Sequence, residues 1–558
     1  MKPYRNLKFA GKGARTATSL TLIGLAAAPA WAQTVPDAGR TLQEQAPVLE
    51  APKPSQGVDI ELPKSLADEP GGAQVTVQSL SISGNSVFSE AHLLGVLGEV
   101  TGKTYDLAGL RNLANRISDH YRQAGYPFAR AYLPAQSLED GALRIDVVEG
   151  RYGEVKAKGD SELAPKAQAF LAPLKPGDVI ESSALERTTL ILDDQPGIKT
   201  TPIVRPGQEI GTGDLDVRVE RTARYSGEVG LDNFGNRYTG QGRAHLNLEA
   251  NSPFLLGDQA TLRSLVTQEG MWFGTLGYSL PIGASGLRAQ ASYSHVYYEV
   301  GKEFDNLDAN GTADVTSVGL SYPIVRSQRA NLLLSGNWLH KELEDKQGAT
   351  NSSSNKSSDS VPVVLSFDLR DGLGGGGITY GALTWTTGHL ELDSTLGTAD
   401  RGTANTQGNF TKLNLDLARI QILSRALSLY GHLSGQWSDV NLDSSERFGL
   451  GGPYGVRAYP VGEGYGDQGW LAQLELRYAI GAFSPFVFYD AGHVKVNTHP
   501  WAGGDNDRSI SGPGFGVRYQ LGKLALDGTL AWRTAGGAPQ SDTKDNRPQI
   551  WVSAAYKF

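Results

Sequence analysis

Apolar and polar residues alternate along many segments of the C-terminal part of the chain. The segments RAHLNLEA (243–250), TKLNLDLA (411–418) and AQLELRYAI (472–480) show this period of two. Such alternation is typical of strands that have one apolar face and one polar face. Because no amphipathic helix interrupts the pattern over residues 223–558, it predicts one large closed sheet, a transmembrane antiparallel β-barrel with an apolar outer face and a polar interior. A soluble β-sandwich is the alternative.

The last ten residues, QIWVSAAYKF, agree with a barrel. Ile550, Val552, Ala554 and Tyr556 lie on one face of the predicted strand, and the chain ends in an apolar Phe558. Outer-membrane barrels commonly end in this way. We count about sixteen candidate strands in the region, and a barrel of that size has room for an aqueous channel.

Two copies of a smaller α+β unit precede the predicted barrel, at residues 74–150 and 151–222. The first unit has a strand at 74–84, then two helices and two further strands. Ser89 and Asp106 are typical N-cap residues and mark the starts of the two helices. The second unit repeats the same order, β-α-α-β-β. This internal repeat predicts two consecutive domains of one kind.

The N-terminal residues 1–32 predict an export signal. Basic residues precede an apolar run at 20–30, and the tripeptide Ala-Trp-Ala at 30–32 matches the pattern before a signal-peptidase site. The run is shorter than the roughly 20 residues that a membrane-spanning helix needs. Residues 33–73 are rich in Pro, Gln, Glu and Asp, which predicts a linker with a short helix near 41–45.

The composition excludes several kinds of chemistry. The chain has no cysteine, which removes disulfides, thiolate metal sites and cysteine nucleophiles. Its net charge of −8 argues against a general affinity for nucleic acid. The nine histidines are scattered without convincing ligand spacing. We therefore predict no catalytic residue, no cofactor and no metal site.

A glycine-rich segment, GGPYGVRAYPVGEGYG (451–466), contains the candidate functional residue Arg457. By our strand count it lies between the eleventh and twelfth strands, on the rim that carries the long loops. A glycine-rich loop without an apolar run can fold into a polar lumen, where a buried arginine needs an anionic partner. The following strand contains the pattern F-x-D-x-G at Phe488, Asp490 and Gly492, which makes Asp490 the candidate partner. Spacing alone favours the alternative, two unrelated polar residues on the wet face of a barrel.

Several motifs resemble those of the two-partner secretion outer-membrane transporters, the haemolysin and filamentous-haemagglutinin activation/secretion family. GYPFARAYLP (125–134) with DVVEG (146–150) is similar to the end of the family's first polypeptide-transport-associated (POTRA) domain. LDNFGNRYTG (231–240) resembles its first barrel hairpin. VRAY (456–459) and FYDAG (488–492) resemble the paired motifs of the sixth extracellular loop and the inner barrel wall. The resemblance extends over nearly the whole chain.

The resemblance implies two periplasmic POTRA domains and a barrel in the outer membrane of a Gram-negative bacterium. It implies a channel that recognises one exported partner protein, of the adhesin, haemolysin or haem-acquisition type, through the POTRA domains. The channel would conduct the partner unfolded to the cell surface without ATP and without catalysing a reaction. Members of the family also have an N-terminal helix that plugs the pore, which here would fall within residues 33–50.

The resemblance also implies a lock between the loop and the barrel wall. Its residues in this chain are Val456, Arg457, Tyr459, Phe488, Asp490 and Gly492. The family's usual loop motif is Val-Arg-Gly-Tyr, and this chain has Ala458 in place of the glycine. Alanine adds a methyl group and restricts φ.

Three other functions compete with export of a partner. An assembly or insertion factor of the same superfamily would tend to carry more POTRA repeats than the two predicted here. A barrel enzyme would show an acidic or Ser/His constellation on adjacent strands. A passive porin would have no reason to carry the repeats.

Overall fold

The structure is a computed structural model that describes residues 35–46, 48–53, 71 and 73–558. The predicted signal peptide lies outside these residues. Within them, every helix is too short or too polar to cross a membrane. The helices are α1 (Ala38–Gln43), α2 (Glu90–Leu97), α3 (Leu107–Gln123), α4 (Ala164–Ala167), α5 (Ser182–Asp193) and α6 (Ser394–Arg401).

The strands form two small mixed sheets, a two-stranded ribbon, one large barrel and a short hairpin. The strands that precede the barrel are β1 (Val75–Thr76), β2 (Ser79–Ser83), β3 (Thr104–Tyr105), β4 (Arg130–Tyr132), β5 (Ala142–Val148), β6 (Arg151–Gly159), β7 (Ile198–Pro206) and β8 (Thr212–Arg221). The barrel strands before the hairpin are β9 (Tyr225–Asp232), β10 (Arg243–Asn251), β11 (Gln259–Thr267), β12 (Trp272–Pro281), β13 (Arg288–Glu299), β14 (Ala309–Arg326), β15 (Ala330–Gln347), β16 (Ser352–Asp371), β17 (Gly377–Leu392), β18 (Gly408–Ile422) and β19 (Leu427–Ser438). The hairpin strands are β20 (Phe448–Gly449) and β21 (Tyr465–Gly466). The remaining barrel strands are β22 (Gln468–Tyr478), β23 (Phe483–Lys495), β24 (Asp507–Leu521), β25 (Leu524–Ala531) and β26 (Gln549–Lys557).

The first α+β unit packs α2 and α3 against a sheet with the order β2-β5-β4. Ser89 and Asp106 accept hydrogen bonds from backbone N–H groups in the first turns of α2 and α3, as expected of N-cap residues. On α3, Ile117 and Tyr121 are fully buried against the sheet, whereas Leu107 at its first position is exposed. The buried stripe of α3 therefore begins at Leu110, one turn after the start of the helix.

The second α+β unit repeats the arrangement with the order β6-β8-β7. In both units the central strand pairs in parallel with one neighbour and antiparallel with the other. The strand predicted at 74–84 is divided, because β1 pairs with β3 and only β2 joins the main sheet. The first of the two helices predicted in this unit is α4, which is followed directly by a 3-10 helix at Gln168–Leu171.

The barrel closes with sixteen antiparallel strands, and β26 pairs with β9. Its outer face is apolar, and the side chains of Ile550, Val552 and Tyr556 on β26 are each nearly half exposed. The alternate residue Trp551 points inward and is buried. A band of apolar side chains on the outer face is the pattern of a barrel surrounded by lipid.

Side-chain contacts join the second α+β unit to the adjacent rim of the barrel. Asp194 at the end of α5 forms a salt bridge of 2.6 Å with Arg326 of β14. Gln195 Oε1 accepts a hydrogen bond of 3.0 Å from Arg288 Nη1, and Glu186 Oε1 accepts one of 2.8 Å from the backbone N–H of Gln328. This rim therefore faces the α+β units, and the long loops leave the opposite rim.

Candidate functional site: loop and helix inside the barrel

The loop between β19 and β22, residues 439–467, folds back into the barrel lumen. Hydrogen bonds between β20 and β21 close its base. The predicted lock residues Val456 and Tyr459 are fully buried, and Arg457 is 6% exposed. Loops usually lie on the surface, where water can satisfy their backbone groups, so a buried loop must find its partners within the protein.

Arg457 and Asp490 are in direct contact. Arg457 Nη2 lies 2.8 Å from Asp490 Oδ1, and Arg457 Nε donates a hydrogen bond of 2.8 Å to Asp490 Oδ2. The backbone N–H of Arg457 also donates to Asp490 Oδ2, at 3.1 Å. Two parallel side-chain hydrogen bonds to one carboxylate fix both the position and the orientation of the guanidinium. Asp490 is itself fully buried.

A second carboxylate completes the surroundings of Arg457. Arg457 Nη1 donates a hydrogen bond of 2.9 Å to Glu475 Oε2 on β22. Glu475 also accepts hydrogen bonds of 2.6 Å from Arg477 and from Arg518 of β24. The resulting network spans β22, β23 and β24 and ties the loop to all three strands.

The other predicted lock residues lie around the same ion pair. The guanidinium carbon of Arg457 lies 3.4 Å from the centre of the Phe488 ring, close enough for a cation–π attraction. A side chain at Gly492 would meet Leu450, since an added Cβ would lie 2.6 Å from Leu450 Cδ2. Tyr459 Oη donates a hydrogen bond of 2.5 Å to the carbonyl oxygen of Ala535, in the loop between β25 and β26. The structure thus brings all six predicted residues to one region of the lumen.

Alanine is accommodated at position 458. Among the described residues other than glycine, five have a positive φ, and Ala458 is not one of them. Its backbone therefore does not require glycine. The methyl group of Ala458 faces Gly512 of β24, where an added Cβ would lie 2.5 Å from it. Gly512, which has no side chain, leaves the space on the barrel wall that the methyl group of Ala458 occupies.

Glu463, two residues before β21, ties the loop to β24 and to the loop between β25 and β26 (residues 532–548). Glu463 is fully buried, and its Oε1 accepts a hydrogen bond of 2.5 Å from Arg508 Nη2. Its Oε2 accepts hydrogen bonds of 2.8 and 2.9 Å from the backbone N–H groups of Gln540 and Ser541. The loop is therefore fixed beside β21 as well as at Arg457.

Lysines on the opposite wall hold the start of the loop. Glu446 forms salt bridges with Lys341 of β15 and with Lys412 of β18. Asp443 forms one of 2.8 Å with Lys356 of β16. Residues 444–446 form a short 3-10 helix between these contacts. The loop thus crosses the lumen from β15–β18 to β22–β24.

Helix α1 lies inside the barrel and packs on this 3-10 helix. Asp37 caps α1, which therefore begins before the helix predicted near 41–45. The backbone N–H of Ala38 donates a hydrogen bond of 2.8 Å to Asp345 of β15. The side chain of Glu44 accepts a hydrogen bond of 3.0 Å from Asn236, in the loop between β9 and β10. An added Cβ at Gly39 would lie 2.4 Å from Ser444 Oγ, so the helix and the loop are in close contact.

Sequence reasoning missed most partners of the loop. Glu475 belongs to a polar face recognised on its strand, but nothing local marks it as a ligand of Arg457. The acidic residues of the loop could have been noticed, because a loop predicted to enter a polar lumen must neutralise them. The missed residues are Lys341, Lys356, Lys412, Asp443, Glu446, Glu463, Glu475, Arg477, Arg508 and Arg518.

The family comparisons agree with this architecture. A family model described as haemolysin secretion/activation protein ShlB/FhaC/HecB matches residues 211–519, more than half of the 558 residues. The chain belongs to this family. A second model, for a POTRA domain of the ShlB type, matches residues 75–150. The protein is accordingly an outer-membrane transporter with POTRA domains in the periplasm.

Several curated relatives match this chain over most of their length. The heme/hemopexin transporter protein HuxB of Haemophilus influenzae (strain 86-028NP) is 28% identical over 500 residues, which cover 86% of each chain. The outer membrane transporter CdiB of Dickeya dadantii (strain 3937) is 22% identical, with 83% of each chain covered. The hemolysin transporter protein HpmB of Proteus mirabilis is 24% identical, with 86% of each chain covered.

Two solved structures share the fold. CdiB from Escherichia coli has a TM-score of 0.74 at 19% identity, covering 90% of this chain and 94% of that one. CdiB from Acinetobacter baumannii has a TM-score of 0.67 at 18% identity, covering 93% and 96%. Because the POTRA domains of this family lie in the periplasm, the rim next to the second POTRA domain faces the periplasm and the long loops face the cell exterior.

Proposed function

We propose that this member of the family exports one dedicated partner protein, of the adhesin, haemolysin or haem-acquisition type, as an unfolded chain through its barrel. The observation that carries the proposal is that two elements fill the lumen, the loop 439–467 and helix α1, and that side-chain contacts hold both of them there. The loop 439–467 and helix α1 are segments of the chain itself, and breaking a limited set of contacts would free them. A closed barrel of sixteen strands has room for a channel once they move.

We propose that Arg457 and Asp490 act as a lock and that α1 acts as a plug. The buried ion pair favours one loop position, because separating the partners would leave two uncompensated charges in the lumen. Helix α1 lies across the same space and rests on the loop. Displacing both elements would open a path for the partner.

The POTRA domains would capture the partner before it enters the barrel. Each of the two small sheets ends in edge strands, β2 and β4 in the first domain and β6 and β7 in the second. An extended segment can add to such an edge through backbone hydrogen bonds alone. Deletion of residues 75–150 should therefore abolish binding of the partner and leave an ion-conducting barrel. Binding of the partner by that deletion variant would contradict the capture role.

Export would need neither ATP nor a catalysed reaction. Folding of the partner at the cell surface would prevent its return and so give the transport a direction. The outer surface of the barrel would be surrounded by outer-membrane lipid. The alternative is an assembly or insertion factor of the same superfamily. In that case, other barrel proteins would fail to insert into the outer membrane when the gene for this protein is deleted.

Replacement of either lock residue tests the proposal. We expect Arg457→Ala and Asp490→Ala to reduce secretion and to raise the open fraction of channels in planar bilayers, while the barrel still inserts. Removal of one member of a buried ion pair costs about 3–5 kcal/mol. Arg263→Ala is a matched control, because Arg263 lies on β11 as an exposed arginine. Normal secretion by both alanine variants would overturn the lock.

A further inference from the structure

A short extended segment of the chain, residues 48–53, lies in the periplasmic half of the lumen. It follows α1 and leads towards the rim that carries the second POTRA domain. Arg370, near the periplasmic end of β16, donates hydrogen bonds of 3.1 Å from Nη2 to the carbonyl oxygens of Pro52 and Lys53. The side chain of Leu49 packs against the barrel wall.

The wall at Leu49 is an apolar slot. Its centre is formed by Ile378, Tyr380 and Ala418, which are all at least nine-tenths buried. Ile420 and Tyr430 extend it. These residues come from three neighbouring strands, β17, β18 and β19. Two other apolar clusters on the inward faces of the barrel strands are covered by α1 and by the loop 439–467. The slot at Leu49 is a third, and like the other two it calls for an apolar occupant.

A cavity of about 410 Å³ continues from this slot to the POTRA–barrel junction. Segment 48–53 forms one side of it through Leu49 and Pro52, and Tyr380 belongs to the barrel side. Asp194 and Gln195 of the second POTRA domain close the opposite side. The cavity therefore connects the place where a partner would leave the POTRA domains to the slot inside the barrel.

We infer that segment 48–53 occupies a binding subsite for the exported polypeptide and leaves it when transport begins. This inference rests on the proposed export function. The occupant is an extended polypeptide segment with one apolar side chain for the slot. Its backbone carbonyl groups, three and four residues further on, would accept hydrogen bonds from Arg370.

The contacts suit an unfolded chain of almost any sequence. Arg370 binds carbonyl oxygens, which every residue has, and the slot selects only for an apolar side chain. The segment of the protein itself demonstrates the fit, because Leu49 and the carbonyl groups of Pro52 and Lys53 use both features together. A subsite that recognises backbone plus one side chain holds a chain weakly and releases it readily, as a conducting channel requires.

A peptide that repeats the segment provides the first test. The full-length Leu49→Ser variant, whose own segment binds less well, is placed in a planar bilayer. A synthetic peptide of residues 46–55 is then added from the periplasmic side. We expect it to block the current, and the same peptide with Leu49→Ser to require an about tenfold higher concentration, the loss expected for one buried leucine side chain.

Arg370 gives the second arm of this test. We expect Arg370→Gln, combined with Leu49→Ser in the channel, to weaken the block by the unmodified peptide. Arg263→Gln on β11 is the control. Equal block by both peptides, or block unchanged by Arg370→Gln, would overturn the subsite. If both peptides block the current equally and added detergent monomer abolishes the block, the slot binds an acyl chain rather than a polypeptide.

Cross-linking in the living bacterium separates the subsite from the export function. A photoreactive amino acid replaces Ala382, which faces inward beside Tyr380, and in a control it replaces the outward-facing Leu383. The expected adduct at 382 is a polypeptide whose export is lost when this chain is deleted. Adducts with segment 48–53 alone, during normal export, would refute the subsite but not the export function. If no exported polypeptide depends on the chain, the export function fails.

Discussion

At the scale of single residues, the buried carboxylate of Glu149 joins several parts of the first POTRA domain. Its Oε1 accepts hydrogen bonds of 2.6 and 2.7 Å from the backbone N–H groups of Ser86 and Val87. Tyr121 of α3 donates another, at 3.0 Å, and Arg151 forms a salt bridge at 3.0 Å. Because Arg151 begins the second domain, this glutamate of the DVVEG motif also connects the two domains.

The contacts of Glu149 predict a pH-dependent stability. Burial by itself raises the pKa of Glu149, but the hydrogen bonds from Ser86 and Val87 outweigh it and hold the pKa below the ordinary value of 4.5. The folded domain therefore binds this proton less readily than the unfolded chain. The stabilisation by the carboxylate is fully present above the ordinary pKa and is lost as the pH falls through the lowered value.

We expect Glu149→Gln to destabilise the first POTRA domain by about 1–3 kcal/mol at pH 7, the cost of impaired hydrogen bonds to a buried charged group. The difference from the unmodified protein should shrink as the pH falls from the ordinary pKa of Glu149 through the lowered one, below which the carboxylate is protonated in both states. Hydrogen exchange of peptides from α3, measured in the full-length protein, reports this stability. Glu154→Gln, at an exposed site on β6, is the control. A constant difference between pH 7 and pH 3 would contradict the role of the charge.

At the scale of elements, the short helix α1 and the loop 439–467 form one packed unit. Gly39 touches the loop so closely that even a methyl group there would meet Ser444. Lys356 contacts Asp443 and Ser444, so β16 supports the surface of the loop on which α1 rests. We expect displacement of either element to weaken the position of the other.

Gly39→Ala tests this coupling. The added Cβ would lie 2.4 Å from Ser444 Oγ, and overpacking of this kind costs about 1–3 kcal/mol. We expect roughly a tenfold rise in the population with α1 displaced, measured as the open fraction in planar bilayers. Gly95→Ala in α2 is a matched control, since an added Cβ there meets no atom within 4 Å. An unchanged open fraction in Gly39→Ala would contradict close packing of the helix on the loop.

At the scale of the whole molecule, contacts at the barrel rim determine the direction of the second POTRA domain. Asp194, Gln195 and Glu186 contact residues near the periplasmic ends of the barrel strands. The salt bridge of Asp194 is partly exposed, and such a pair alone contributes only about 0–1 kcal/mol. Several weak contacts together, rather than one strong contact, therefore hold the second POTRA domain at the periplasmic rim of the barrel.

The double variant Asp194→Asn, Glu186→Gln should loosen this junction. Because the natural chain has no cysteine, spin labels can be attached at single cysteines introduced at Lys199 and Lys523. We expect a narrow distance distribution in the natural junction and a broader one in the double variant. Glu154→Gln should leave the distribution unchanged. Equal distributions in all three proteins would mean that other contacts hold the domain.

Local sequence determined the elements of this protein. In each barrel strand, alternate side chains face lipid and the water-filled interior, which produces the period of two. This pattern can be read from each strand without knowing its neighbours. The caps Ser89 and Asp106 act within a single helical turn, so they too can be predicted locally. Arg457 and Asp490 could be named because two short motifs resemble those of a known family, although 33 residues separate them.

Only the tertiary structure decided how the lumen is filled. Lys341 and Glu446 meet across 105 positions of sequence, because barrel closure brings β15 opposite the loop. The position of α1, the slot that holds Leu49 and the contacts of Arg370 depend in the same way on strands that are distant in the chain. The sequence of a strand shows which of its faces points to the polar interior. Which charged side chains meet across that interior depends on the register and closure of all sixteen strands.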